Sequence, residues 1–206
     1  MSVVKGKRKL SRYEAQHNFF KLRAEVTQLM MNDFGFSEKK YRQFIEKYKN
    51  SHKESPNVDE LVIRWETRCE AFKKWFINKE QDAVLELLRK IEVEFTIGIS
   101  IFPSATPAKI MEFIMRRRHI DNAIGYCYAL KQEMNYIIRT LPVDLNKYKQ
   151  FAKKIDRQIE LYKIVRTADN KLIKPSDDAA MDEDIKQVFE GIASLIYKAS
   201  EIESSC

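Results

Sequence analysis

Three histidines, three cysteines and a large surplus of Lys and Arg are the side chains of this 206-residue chain with the most chemistry to offer. His17, His52 and His119 lie far apart. No Cys-x-x-Cys or His-Glu-x-x-His spacing brings ligands onto one face for a metal ion. Cys69, Cys127 and Cys206 are odd in number and widely spaced, which predicts reduced thiols and not a disulfide framework. Cys127 falls on an apolar helical seam, where a small residue packs more readily than a nucleophile works. There is no glycine-rich phosphate loop and no Gly-x-Ser-x-Gly elbow. Most carboxylates sit within a helical turn of a Lys or Arg, as on solvated helix faces. These patterns predict a chain that is not an enzyme and that uses no metal and no cofactor.

The cations are better placed. The net charge of +7 is unevenly spread. Residues 1–23 carry seven Lys/Arg against Glu14 alone, and residues 107–174 carry fifteen against seven acids. Residues 175–206 oppose them, with eight acids against two lysines. Such asymmetry bears on partners more than on fold. Lys5, Lys7, Arg8, Lys9 and Arg12 form an N-terminal arm that would order on a phosphate backbone, or else is a plain chain end. Arg116, Arg117 and Arg118 stand mid-helix and fan over about 200°, so they cannot all face one strand. Arg117 reads as nearest the seam and suited to an internal ion pair, leaving Arg116 and Arg118 for phosphates. Lys147, Lys149, Lys153, Lys154 and Arg157 nearly line one outer surface of the next helix, and Lys163 and Arg166 extend it. A solvated face and a phosphate-binding face are both open readings of that row. Tyr126, Tyr128, Tyr136, Tyr148 and Tyr162 interleave with the cations; stacking on bases would need them exposed, and helical spacing makes them core or rim.

The elements that must carry these groups are helices. Five glycines and five prolines are few, and 33% of the residues are charged. Seven helical segments are predicted and no convincing strand. The first opens on a Ser11/Glu14 capping box, runs through Phe19, Leu22, Val26 and Met30, and stops at Gly35. Ser37 caps a short second helix bearing Tyr41, Phe44, Ile45 and Tyr48, and residues 50–57 read as a loop. Val62, Trp65, Cys69, Phe72 and Phe76 stripe a third helix; Val84, Leu87, Leu88, Ile91 and Phe95 stripe a fourth. Gly98 to Pro103 reads as an apolar loop. Thr106-Pro107 starts a fifth helix with Ile120, Ile124, Cys127, Leu130, Met134, Ile137 and Leu141 as its seam. Pro142 ends it and Asp144 caps the sixth, with Val143 and Tyr148 as a hydrophobic staple; so short a turn forces an antiparallel hairpin. The last helix repeats Met181, Ile185, Val188, Ile192, Leu195, Ala199 and Ile202, with acids crowding its start.

The expected fold class is therefore all-α: an antiparallel four-helix bundle core with extra N-terminal helices and a C-terminal amphipathic helix. Residues 1–56 read as a basic arm and helical extension, 57–174 as the bundle core, and 175–206 as an acidic linker and helix. No apolar run approaches the roughly 20 residues that span a bilayer, and no apolar stretch follows the basic N-terminus. A soluble cytoplasmic protein with no membrane partner is expected.

The order of a basic helix, YALKQEMNYI, a short turn and NKYKQFAKKIDRQIELYKIVR resembles the last two helices of the bacterial accessory variability determinant (Avd) proteins. Tyr148, Ile155, Ile159 and Val165 stand where that family's aromatic and apolar seam would fall. The likeness is one of residue types over the hairpin, and the chain is longer than the family pattern at both ends. It implies a non-catalytic four-helix-bundle subunit of a diversity-generating retroelement. It further implies a pentameric homo-oligomer whose basic surface contacts a reverse transcriptase and its template RNA or RNA/cDNA. The alternative expectation is a helical-bundle interaction module whose basic face binds an acidic protein partner.

Overall fold

The turn from Leu141 to Asp144 sets the architecture. Pro142 has no N–H to extend a helix, and the Asp144 carboxylate accepts the Asn146 N–H at 2.9 Å, so one helix ends and the next begins within four residues. A computed structural model of the chain describes residues 12–103, 108–172 and Gln187. Among the described residues it has five named α-helices: α1 (Arg12–Met31), α2 (Glu38–Ser51), α3 (Val58–Ser100), α4 (Ala108–Thr140) and α5 (Leu145–Asp169). Short 3-10 turns follow α1 and α5. Among the described residues there is no strand, only an isolated antiparallel bridge between Phe36 and Val143. The acidic C-terminal helix, the Ser11 cap and the Thr106-Pro107 start lie outside the described residues.

Helices α1, α3, α4 and α5 form an up-down-up-down bundle. Paired residues run in opposite directions along each neighbouring pair: Glu94 with His119 and Gly98 with Arg116 between α3 and α4, Lys131 with Asp156 and Arg116 with Asp169 between α4 and α5. The predicted seam of α4 is buried throughout, with Ile120, Cys127, Leu130 and Ile137 fully so. Gln158, also fully buried, fastens α1 to α5 by accepting from Asn18 at 2.7 Å and donating to the Ala15 carbonyl at 3.0 Å. Both its hydrogen-bonding groups are thereby satisfied, as burial requires.

Three expectations are corrected. The third and fourth predicted helices are one 43-residue helix, α3, which continues through Gly98 to Ser100. The polar run Asn78 to Asp82 interrupts the stripe without interrupting the backbone. That fusion leaves the bundle one member short, and α1 supplies it: Ala15, Phe19, Leu22 and Val26 share one core with α3, α4 and α5. The bundle therefore reaches beyond the 57–174 span read from sequence. Helix α1 also stops at Met31, ahead of Gly35; Asp33, Phe34 and Gly35 all take positive φ in the turn that follows. Buried Phe34 and a 2.9 Å hydrogen bond from Tyr148 Oη to its carbonyl hold that turn against its steric cost.

At 1.5 Å per residue α3 is about 64 Å long against about 50 Å for α4. Its first turns outrun the bundle and pack on α2, where Tyr48 stacks on Trp65 at 4.3 Å and 5°. The predicted Ser37 cap of α2 is present, its Oγ accepting from Lys40 N.

Gly98 lies where α3 meets α4. An added Cβ would stand 3.0 Å from Ile120 Cγ1 and 3.3 Å from the Arg116 carbonyl, whereas one at Gly125 would meet nothing within 4 Å. Gly125→Ala is expected to stabilise the fold by about 0.5–1 kcal/mol through helix propensity. Gly98→Ala should lose more to crowding than it gains, for a net cost of about 1 kcal/mol. Thermal melts of the two variants check this. An equal rise in Tm for both would mean that α3 and α4 approach less closely than described.

Candidate nucleic-acid interface

Of the predicted phosphate contacts, Lys5, Lys7, Arg8 and Lys9 lie outside the described residues. Arg12 donates to the Ile99 carbonyl at 3.2 Å and lies over the Tyr13 ring, so it helps close the C-terminus of α3.

The triple arginine divides differently from expectation. Arg116, and not Arg117, forms the internal ion pair. It is 3% exposed, and its Nε and Nη2 meet both carboxylate oxygens of Asp169 at 2.6 and 2.9 Å. Its Nη1 donates to the carbonyls of Gly98 and Ile101 at 3.0 and 2.9 Å. Continuing the seam back from Ile120 by four residues lands on Arg116, and three more reach buried Phe113. Arg116 is thus removed from the candidate surface. Arg117 donates to Asn170 Oδ1 at 2.9 Å, and Arg118 is exposed.

The α5 row separates into two groups. Lys154 pairs with Glu25 of α1 at 2.5 Å, Lys163 with Glu160 at 2.9 Å, and Arg166 with Asp121 of α4 at 2.6 Å. Hydrogen bonds to Glu160 and Tyr128 raise the pKa of Lys163. Lys147, Lys149, Lys153 and Arg157 are exposed and make no ion pair among the described residues. Lys149, Lys153 and Arg157 follow one another at four-residue steps, about 6 Å each along the helix. Lys21 of α1, which sequence reasoning passed over, joins Lys153 and Arg157 around a shallow depression of about 250 Å³. Its membership depends on α1 lying against α5, which no local signal announces.

The neutral candidates resolve simply. Cys127 is fully buried and its thiol is pushed up to about 12 by burial, a packing residue and not a nucleophile. Tyr148 and Tyr162 are core residues, while Tyr128 and Tyr136 are about half exposed. His119 Nδ1 lies 2.8 Å from Glu94. Among the described residues no three His, Cys, Asp or Glu side chains gather as metal ligands would, and no helix is long and apolar enough to cross a membrane.

A second concave surface lies at the end where α2 joins the bundle. Phe36, Tyr41, Phe44, Trp65 and Phe72 wall a groove of about 660 Å³, with Lys40, Arg68, Lys73 and Arg139 among its lining residues. The aromatic stripe of α2 and α3 was legible in the sequence. Its enclosure by the α4–α5 turn was not, because residues 139–142 are distant along the chain.

No protein-family model, curated protein or solved structure matches this chain.

Proposed function

We propose that this chain is a non-catalytic accessory subunit that binds RNA and a reverse transcriptase, supporting cDNA synthesis in a diversity-generating retroelement. One observation carries the RNA-binding part: four exposed α5 cations, Lys147 near the turn and Lys149, Lys153 and Arg157 along one face, have no intramolecular partner among the described residues, and Lys21 extends them onto α1. Cations paired within the fold have little left to give a ligand. Unpaired ones release counterions when they neutralise phosphates, which favours binding with little regard to base. The reverse transcriptase and the homo-oligomer enter through the resemblance of the α4–α5 hairpin to the accessory variability determinant proteins.

The test is RNA affinity as a function of salt. Log affinity should fall linearly with log salt, and Lys147→Gln/Lys149→Gln/Lys153→Gln/Arg157→Gln should flatten the slope by about 3. Binding unchanged by salt would sink the mechanism. Equal binding to polyglutamate at matched salt would favour an acidic protein as the partner. Co-purification of the chain with a reverse transcriptase encoded beside it tests the second half.

A further inference from the structure

We infer that the groove between α2, the projecting start of α3 and the α4–α5 turn is a site for unpaired nucleotides, in which aromatic rings stack on bases while the lining cations hold phosphates. The inference rests on the RNA-binding reading and adds to it a preference for single strands.

The walls of the groove are aromatic beyond what packing the α2–α3 hairpin requires. Tyr48 already covers Trp65, yet Phe44 and Phe72 remain 57% and 49% exposed on its flanks. Half-exposed rings beside a concavity are what a base needs, since every base has a face to stack and sequence hardly matters. The charge is one-sided. Four cations line the groove and no carboxylate does. Lys40 is engaged with the Val143 carbonyl and Lys73 with Glu70, but Arg68 and Arg139 are exposed without an ion pair among the described residues.

One further observation favours a nucleotide over an apolar helix. The groove lies at the turn from which the α5 row starts. Arg139 to Pro142 line it, and Lys147 begins the row five residues later, within about 18 Å of chain. A strand lying along Lys149, Lys153 and Arg157 is thereby led toward that turn and the aromatic walls beside it. Phosphate neutralisation alone does not tell paired from unpaired strands; stacking does, because duplex bases are already stacked on each other.

The chain has two tryptophans, so Trp75→Phe leaves Trp65 as the sole reporter. That variant is titrated with oligouridylate of about ten nucleotides and with a fully paired RNA of equal phosphate number, following both anisotropy and Trp65 emission. Oligouridylate should bind and quench Trp65, and the duplex should bind without quenching. Phe44→Ala/Phe72→Ala in the same background should lower oligouridylate affinity about tenfold and leave duplex affinity unchanged. Arg68→Gln/Arg139→Gln, which touches no core residue, should act the same way. Binding of both RNAs with Trp65 silent overturns this inference alone. Binding of neither overturns the RNA reading with it. Quenching by a peptide of residues 175–206, without quenching by oligouridylate, assigns the groove to that acidic segment and overturns the nucleotide site.

Discussion

Arg116→Leu is expected to lower the unfolding free energy by about 3–5 kcal/mol, read as a fall in the urea midpoint at neutral pH. The size follows from what the substitution strands. Asp169 would keep a buried charge with no counter-ion, and the Gly98 and Ile101 carbonyls at the end of α3 would each lose a donor. Those carbonyls are among the last in a helix, where no backbone N–H is available to replace the guanidinium. Arg116→Leu/Asp169→Leu should recover at least about 1 kcal/mol of the loss, because no unpaired charge then remains inside. Arg118→Leu, two residues on and on the exposed face, should stay within about 0.5 kcal/mol of wild type. A cost below about 1 kcal/mol for Arg116→Leu would mean that the ion pair is not buried as described.

Glu80→Gln is expected to stabilise the protein above neutral pH and to change little in acid. Glu80 is 7% exposed, and its Oε2 is buried without a hydrogen-bond partner. Burial first, then a hydrogen bond with Glu133 and the charge of Glu133, push its pKa up to about 7. The folded state therefore keeps a proton that the unfolded chain, titrating near 4.5, gives up. The stabilisation from that proton is complete below about pH 4.5 and is lost as pH rises through about 7. A shift of this size corresponds to roughly 3 kcal/mol. Urea melts at about pH 5 and about pH 8 should show wild type losing stability across the interval and Glu80→Gln keeping it. A variant that parallels wild type at both values would place the pH dependence elsewhere.

The α4–α5 hairpin was readable in sequence because local chemistry dictates it: Pro142 must end one helix, Asp144 can start another, and the Ile120 to Leu141 spacing marks a single face. The α3 helix was not, because Asn78 to Asp82 looks like a polar break when only the stripe is counted. In place, Glu80 and Gln81 face neighbouring helices, Glu80 toward Glu133 and Gln81 toward the Met30 carbonyl at 3.0 Å. Gly98 misled for a similar reason. A glycine inside a helix signals a stop in one dimension and a close helix crossing in three. The α5 row was legible as a set of residue types. Which of its members are neutralised depends on Glu25 and Asp121, carried by other helices, and that is tertiary information. The groove is the extreme case, since Arg139 to Pro142 close it against aromatic walls that lie far earlier in the chain.

The continuity of α3 fixes the phase between the two ends of the molecule. Trp65 at the groove and Phe76 at the bundle entrance ride on one unbroken helix, eleven residues apart and therefore close to three whole turns. With no loop between them to absorb a change in length, inserting one residue would swing the groove wall by about 100° relative to the core, and α2 would lose its partner face. Insertions of about seven or eleven residues, two or three full turns, would bring Trp65 back into line, but about 10 or 16 Å farther from the α5 cations. The arm is geared to the bundle, and its length is a setting that a single codon can spoil.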